Sequence, residues 1–178
     1  MIKFYRIATT EHINDISGTG ARIYGGRWND IGYPVVYAAG SRSLATLEFL
    51  VHVPMALAPE DLSMMEINIV ETVGRESVNE SQLPSNWRDY PAPEQLAEIG
   101  TNWIKSKSSL LLDIPSAVVN RELNTLINPL HEDIKSVNVV SIEKFSFDSR
   151  LRPDNSVARN PKGHISKISY GDCCDLCR

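Results

Sequence analysis

Residues 18–53, GTGARIYGGRWNDIGYPVVYAAGSRSLATLEFLVHV, decide the fold of this chain. Arg27 follows the pair Gly25-Gly26 and leads towards the apolar run Pro34–Ala39 (PVVYAA), which carries Tyr37. That β-branched run predicts a short buried strand. Ser41 is the predicted N-cap of a helix over 42–53. Leu44, Leu47 and Val51 fall at i, i+3 and i+7 and predict its inward stripe. Glu48, four residues after Leu44, belongs to the same stripe. An inward carboxylate must be paired, hydrogen-bonded or functional, because burying it bare is too costly. An ion pair to a core arginine meets that requirement as well as a catalytic role does. One loop–strand–helix unit thus delivers groups suited to an anion, a flat ring and a developing positive charge, as an enzyme acting on a dinucleotide requires. The glycines either make a plain turn or let phosphates approach the backbone. They do not form a phosphate loop, because the Gly-Lys-Ser/Thr ending is missing.

Outward from this stretch, residues 2–8 (IKFYRIA) predict an opening strand with Tyr5 and Ile7 on one face. Residues 9–30 read as a polar segment. Residues 62–70 (LSMMEINIV) predict a strand through Met65, Ile67 and Ile69, and the polar, proline-bearing segment from 73 to 95 a long surface loop. Residues 93–105 predict a helix, with Leu96, Gly100 and Trp103 in helical register and Pro93 at its start. SLLLDIPSAVV predicts a second buried strand, with Ser116 just after Pro115. NRELNTLINPLHED reads as a turn or short helix halted by Asn128-Pro129, and 137–147 as the strand that closes the sheet. Strands outnumber helices without a βαβ rhythm, so the expected class is α+β in a single domain. The domain is expected over 1–151, with 152–178 a polar, disordered C-terminal tail.

With 178 residues, 42% hydrophobic and 22% charged, the composition is that of a globular domain with a sizeable core. A net charge of −4 argues against nucleic-acid binding through bulk electrostatics. No apolar run is long enough to span a bilayer, and MIKFYRIATTEH lacks the apolar core of a signal peptide, so a cytoplasmic location is expected. The cysteines, Cys173, Cys174 and Cys177, all lie in the tail. A structural zinc site needs four ligands, and neither His164 nor Asp175 stands at a usual spacing for the fourth, so no metal is expected.

Taken together, the motifs resemble the RES-domain proteins, the toxin halves of bacterial RES–Xre toxin–antitoxin pairs. The resemblance is carried by Phe4-Tyr5-Arg6-Ile7-Ala8, Gly20 through Asn29 (GARIYGGRWN), Val36-Tyr37 and Leu44 through Glu48. It continues in Gly100 and Trp103, Leu111 through Ser116 (LLDIPS), Leu126 through Pro129, His131, and Phe145 through Leu151. The tail after Leu151 departs from the family's pattern. The resemblance implies an ADP-ribosyltransferase-like fold, a split and mostly antiparallel β core with flanking helices. The arginine, glutamate and serine of the family's name fall on Arg27, Glu48 and Ser116, with Tyr37 grouped beside them. It also implies an enzyme for which NAD⁺ is the substrate rather than a cofactor, an Xre-family antitoxin as partner, and room for a homodimer within their complex.

Cleaving the nicotinamide–ribose bond builds positive charge on the ribose, as glycoside cleavage does. Nicotinamide leaves as a neutral group, so no general acid is needed and a negative charge beside the cation is. Glu48 supplies that charge, Arg27 a planar fork for the pyrophosphate, and Tyr37 a flat face for nicotinamide. Ser116 is placed to hydrogen-bond the ribose or the carboxylate. Arg22, Trp28 and Asn128 are secondary candidates for shaping the pocket. Read without the resemblance, Tyr37 is a core aromatic ending a strand and Ser116 a structural turn serine; the resemblance is what lifts them above those readings. The expected acceptor of ADP-ribose is phosphate or water. The alternatives are transfer to a protein side chain and a catalytically silent partner-binding module.

Overall fold

The computed structural model describes residues 1–53 and 58–151. The predicted tail, with its cysteines, lies outside them. Seven strands make one sheet: β1 (Ile2–Thr9), β2 (Val36–Ala39), β3 (Leu62–Ile69), β4 (Arg75–Ser77), β5 (Leu111–Pro115), β6 (Leu123–Ile127) and β7 (Val137–Phe145), in the order β4-β5-β6-β2-β1-β3-β7. All neighbours are antiparallel except β4 and β5. Among the described residues three α-helices accompany them: α1 (Thr19–Tyr24), α2 (Arg42–His52) and α3 (Glu94–Ser106). This is the α+β architecture expected.

The sheet is split at its centre. β1 runs against β3 over eight residue pairs, from Ile2 opposite Ile69 to Thr9 opposite Leu62. Against β2 it keeps a single registered pair, Tyr5 opposite Ala39. The seam between β1 and β2 is where the cleft described below opens. Side chains alternate across the pleat as a two-residue period requires. Phe4, Met65, Ile67, Val36, Leu111 and Ile127 fill the core on one face. On the other, Leu112, Ile114 and Leu126 meet α3 through Leu96, Trp103 and Ile104. Ala39 and Met64 meet α2 through Leu44 and Ala45 on that same side.

Four local expectations are corrected. LNTLI is not a turn or helix but β6, paired with β5 over its length and with β2 from Asn124 to Ile127. Asn124 and Thr125 hide its apolar alternation, and both are tolerated inside a sheet because each meets a carboxylate: Glu48 and Asp113 respectively. The long polar segment contributes β4, whose Arg75 makes a forked pair with Asp113 at 2.6 and 3.0 Å. The polar segment before Arg27 contains α1, a helix of six residues closed by Gly25 at φ 72°. Finally, the inward stripe of α2 is rotated. Leu47 and Val51 are 43% and 57% exposed, while Leu44 and Ala45 are buried. Ser41 caps this helix as predicted, its hydroxyl accepting from the Leu44 N–H at 3.1 Å.

Candidate active site

A cleft of about 600 Å³ opens along the β1–β2 seam, within the range of small-molecule sites. The rotation of α2 gives Glu48 its place. With Ala45, it lies on the helix face that continues through Phe49 and His52, all four lining the cleft. Glu48 Oε1 accepts two hydrogen bonds, from Ser116 Oγ at 2.6 Å and from Asn124 Nδ2 at 2.5 Å. Ser116 is 1% exposed and sits behind the carboxylate. Its Oγ accepts from the N–H groups of Val118 (3.1 Å) and Val119 (2.9 Å), which leaves its single proton to Glu48. The turn serine and the donor to the Glu48 carboxylate are thus one residue.

Arg27 lines the same cleft. Its Nη1 donates to the Trp87 carbonyl at 2.6 Å and its Nη2 to the Asp89 carbonyl at 3.1 Å, so the long loop after β4 holds the fork by its backbone. Burial lowers the Arg27 guanidinium from its ordinary value, with Glu48 the first of the charges opposing that shift. Tyr37 ties β2 to the loop that carries Arg27. Its hydroxyl donates to Asn29 Oδ1 at 2.8 Å and accepts from the Trp28 N–H at 3.0 Å. Burial pushes the Tyr37 hydroxyl well above its ordinary range, so it stays protonated and its ring is fixed at the cleft wall.

The Gly25-Gly26 pair divides its work. Gly25 takes the left-handed φ that ends α1. At Gly26 a Cβ would lie 2.7 Å from the Tyr37 hydroxyl and 2.9 Å from Asn29 Oδ1. The missing side chain at position 26 makes room for the tyrosine itself. Trp28 is 2% exposed, borders the cleft and packs with the α3 core. The remaining candidates lie elsewhere. Arg22 is exposed on α1 and does not border the cleft. Asn128 is fully buried, its amide donating to Ile104 O at 3.1 Å and accepting from the Leu130 N–H at 2.9 Å, away from the cleft.

Three lining residues were not singled out as site candidates in the sequence. Asn124 was read as part of a turn. His52 lies one helical turn beyond Glu48 at the cleft; although its surface is exposed, desolvation against the cleft wall lowers its pKa, with Glu48 opposing. Arg6, a cation set between Tyr5 and Ile7 in β1, was the available signal for the third. Its Nη1 donates to the Asp15 carbonyl at 2.5 Å, and its other N–H groups meet no protein acceptor among the described residues. Burial lowers its pKa too, with Asp15 opposing. Both arginines therefore border the cleft as partly desolvated cations, a state that an incoming anion relieves.

Asp15 organises the entrance to α1, its carboxylate accepting from Ser17 N at 2.8 Å, Ser17 Oγ at 2.5 Å and Thr19 N at 3.1 Å. Burial works against its charge, yet these bonds and Arg6 hold its pKa below the ordinary value. A depressed carboxyl pKa stabilises the fold above the unfolded value near 3.9 and loses that effect as pH falls through the folded value. Asp15→Asn is therefore expected to cost about 1 kcal/mol at pH 7, as loss of a helix-entry cap does. The gap in melting temperature from the parent should shrink below about pH 4.

The family model described as "RES domain" matches residues 3–148. A Sphingobium protein named Prs ADP-ribosylating toxin is 39% identical over 153 residues, covering 83% of this chain and 95% of that relative. A Photorhabdus laumondii protein named Toxin Res is 41% identical over 150 residues, covering 83% and 95%. A Yersinia enterocolitica protein of the same name is 39% identical over 150 residues, covering 83% and 98%. Among solved structures, the M. tuberculosis MbcT–MbcA toxin–antitoxin complex contains a chain that superposes with a TM-score of 0.66. That match covers 81% of this chain and 84% of the other at 16% identity, a likeness of fold. With a family match across most of its length and relatives near 40% identity, this chain belongs to the RES-domain family.

Proposed function

We propose that this protein is the toxin of a toxin–antitoxin pair and that it cleaves the nicotinamide–ribose bond of NAD⁺, passing ADP-ribose to phosphate or water. One observation carries the reading: a carboxylate, Glu48, held by two donors in the same cleft as a backbone-anchored arginine and a fixed tyrosine ring. The ribose C1′–N bond breaks and its electron pair goes to the ring nitrogen, so nicotinamide leaves neutral. Glu48 faces the oxocarbenium-like ribose and stabilises it electrostatically. A phosphate oxygen then bonds to C1′, giving a 1-phosphate of ADP-ribose. With water the products are ADP-ribose and a proton. Arg27 and Arg6 hold the pyrophosphate, and Tyr37 stacks on nicotinamide.

Purified protein incubated with NAD⁺, with and without phosphate, tests this when the products are resolved. Phosphate is expected to speed consumption and to enter the product. The name of the Sphingobium relative favours a second reading, transfer to a protein side chain. Labelled NAD⁺ separates the two: label on a cellular protein, with free NAD⁺ barely consumed, overturns the first. The toxin reading brings with it a cytoplasmic site of action and an antitoxin of the Xre family, whose binding would close the cleft.

Arg27→Lys is expected to weaken NAD⁺ binding about tenfold. An ammonium cannot keep both loop carbonyls and also present two parallel donors to a phosphate. Loss of one charge-assisted hydrogen bond is enough for that factor. Calorimetric titration with NAD⁺ measures it. Unchanged affinity would make Arg27 only a tie between its loop and the segment at 87–89.

A further inference from the structure

Glu48 is gripped from one side only. Both of its hydrogen bonds fall on Oε1, and among the described residues Oε2 accepts none. The two donors differ in what else they do. Ser116 is buried behind the carboxylate and shares its Oγ with two backbone N–H groups. Asn124 instead borders the cleft, partly exposed, and its carboxamide oxygen has no protein donor among the described residues.

Its placement follows from strand register. Asn124 stands on β6 opposite Ala39 of β2 and Ile114 of β5. Directly opposed side chains in a sheet stand roughly 5 Å apart. A methyl group at position 39 is therefore small enough to leave the amide a path to α2. The amide is also neutral. A lysine or arginine on Glu48 would cancel the charge that the ribose cation needs, whereas an amide N–H fixes the carboxylate and leaves its charge in place.

We propose that Asn124 is a positioning residue for the cleavage step: with Ser116 it fixes Glu48 Oε1, so that Oε2 is presented to the ribose of a dinucleotide substrate. This rests on the NAD⁺ reading above. Glu48 makes the transition-state contact, and Asn124 acts through it. Ser116 alone would hold the carboxylate by one bond and leave it free to swing about that bond.

Two variants test this. Asn124→Ala should lower kcat about 10-fold to 100-fold, the range for losing a hydrogen bond to a charged group, with KM for NAD⁺ within about twofold. Asn124→Asp places a second carboxylate against Glu48, and two carboxylates this close must share a proton. That proton is bound in the folded state at a raised pKa, so the variant's stability falls as pH rises. Its melting temperature should drop away from the parent's between pH 5 and 8 by about 4 °C per unit of pKa displacement. A merely structural side chain out of reach of Glu48 would give a gap independent of pH, and that result overturns the proposal. So does an Asn124→Ala variant with kcat within twofold of the parent, or one whose loss lies wholly in KM. A parent inert towards NAD⁺ removes the reaction reading and this catalytic role together. A gap that still widened with pH would then leave Asn124 as a structural partner of Glu48.

Discussion

Glu48→Gln is expected to leave the fold and NAD⁺ binding in place and to reduce turnover about 10²-fold to 10³-fold, the usual loss when one transition-state stabiliser is removed. The geometry says why the two effects separate. Glu48 Oε1 accepts from Ser116 and Asn124, and a glutamine amide oxygen accepts the same two bonds. The network behind the side chain therefore survives, and the melting temperature should move little. What changes is the group turned to the ribose. A carboxylate oxygen is replaced by an amide N–H, whose positive end faces the developing cation. Steady-state kcat with NAD⁺, alongside calorimetric affinity, measures the separation. A variant that turned over within a few-fold of the parent would mean that Glu48 is a structural acceptor for β5 and β6, and that the charge facing the cation comes from elsewhere.

Ambiguity about Glu48 was present in the sequence for a physical reason. A carboxylate on the inward face of a helix is consistent with an ion pair or a catalytic site, and spacing alone cannot supply the partner. The partners turned out to be neutral donors more than sixty residues later in the chain, Ser116 from the turn after β5 and Asn124 from β6. Ser116 could be flagged only through its resemblance, because serine after proline is ordinary in a turn. Asn124 escaped because its strand was misread. Arg22 and Asn128 show the converse. Both belong to recognisable motifs, but Arg22 faces solvent and Asn128 serves as a buried brace between Ile104 and Leu130.

The fold itself was legible wherever apolar periodicity was unbroken. β1, β3, β7 and α3 fall close to the predicted limits. It was illegible where tertiary partners override local chemistry. β6 carries adjacent polar residues that only Glu48 and Asp113 make tolerable inside a sheet. β4 is short and exposed on all three residues, and exists by pairing with β5 and through the Arg75–Asp113 fork. On α2 the heptad-like leucines pointed the wrong way. Leu47 and Val51 are exposed, and the cleft instead takes the face bearing Ala45, Glu48, Phe49 and His52. Part of the inner face of α2 lines the open cleft rather than the core, so its most apolar stripe is not the one turned inward.

Gly100→Ala is the substitution expected to damage the molecule most for its size. Alanine is ordinarily the better residue within a helix by about 1 kcal/mol, so propensity alone predicts a more stable α3. Packing predicts the opposite. A Cβ at position 100 would lie 1.9 Å from the Trp28 carbonyl oxygen and 2.9 Å from its carbon, a collision with backbone that no rotamer relieves. α3 and the GGRWN loop are held at this spacing from both sides. Trp28 packs with Leu96 and Trp103, and the Asp30 N–H donates to Thr101 Oγ1 at 2.9 Å. To admit the methyl, either α3 must lift from the sheet or the loop must move. Overpacking of this kind costs about 1–3 kcal/mol, and the lost helix–loop contacts add to it. In a domain of this size that lowers the melting temperature by roughly 5–10 °C. The loop that must move carries Arg27, and through Trp28 and Asn29 it also holds the Tyr37 hydroxyl. NAD⁺ affinity should therefore fall together with stability, unlike in the Glu48 variant, where the two are separated. Thermal melting and calorimetric titration on one preparation of Gly100→Ala give the answer. A variant as stable as the parent, with unchanged affinity, would show that α3 does not set the position of the arginine loop.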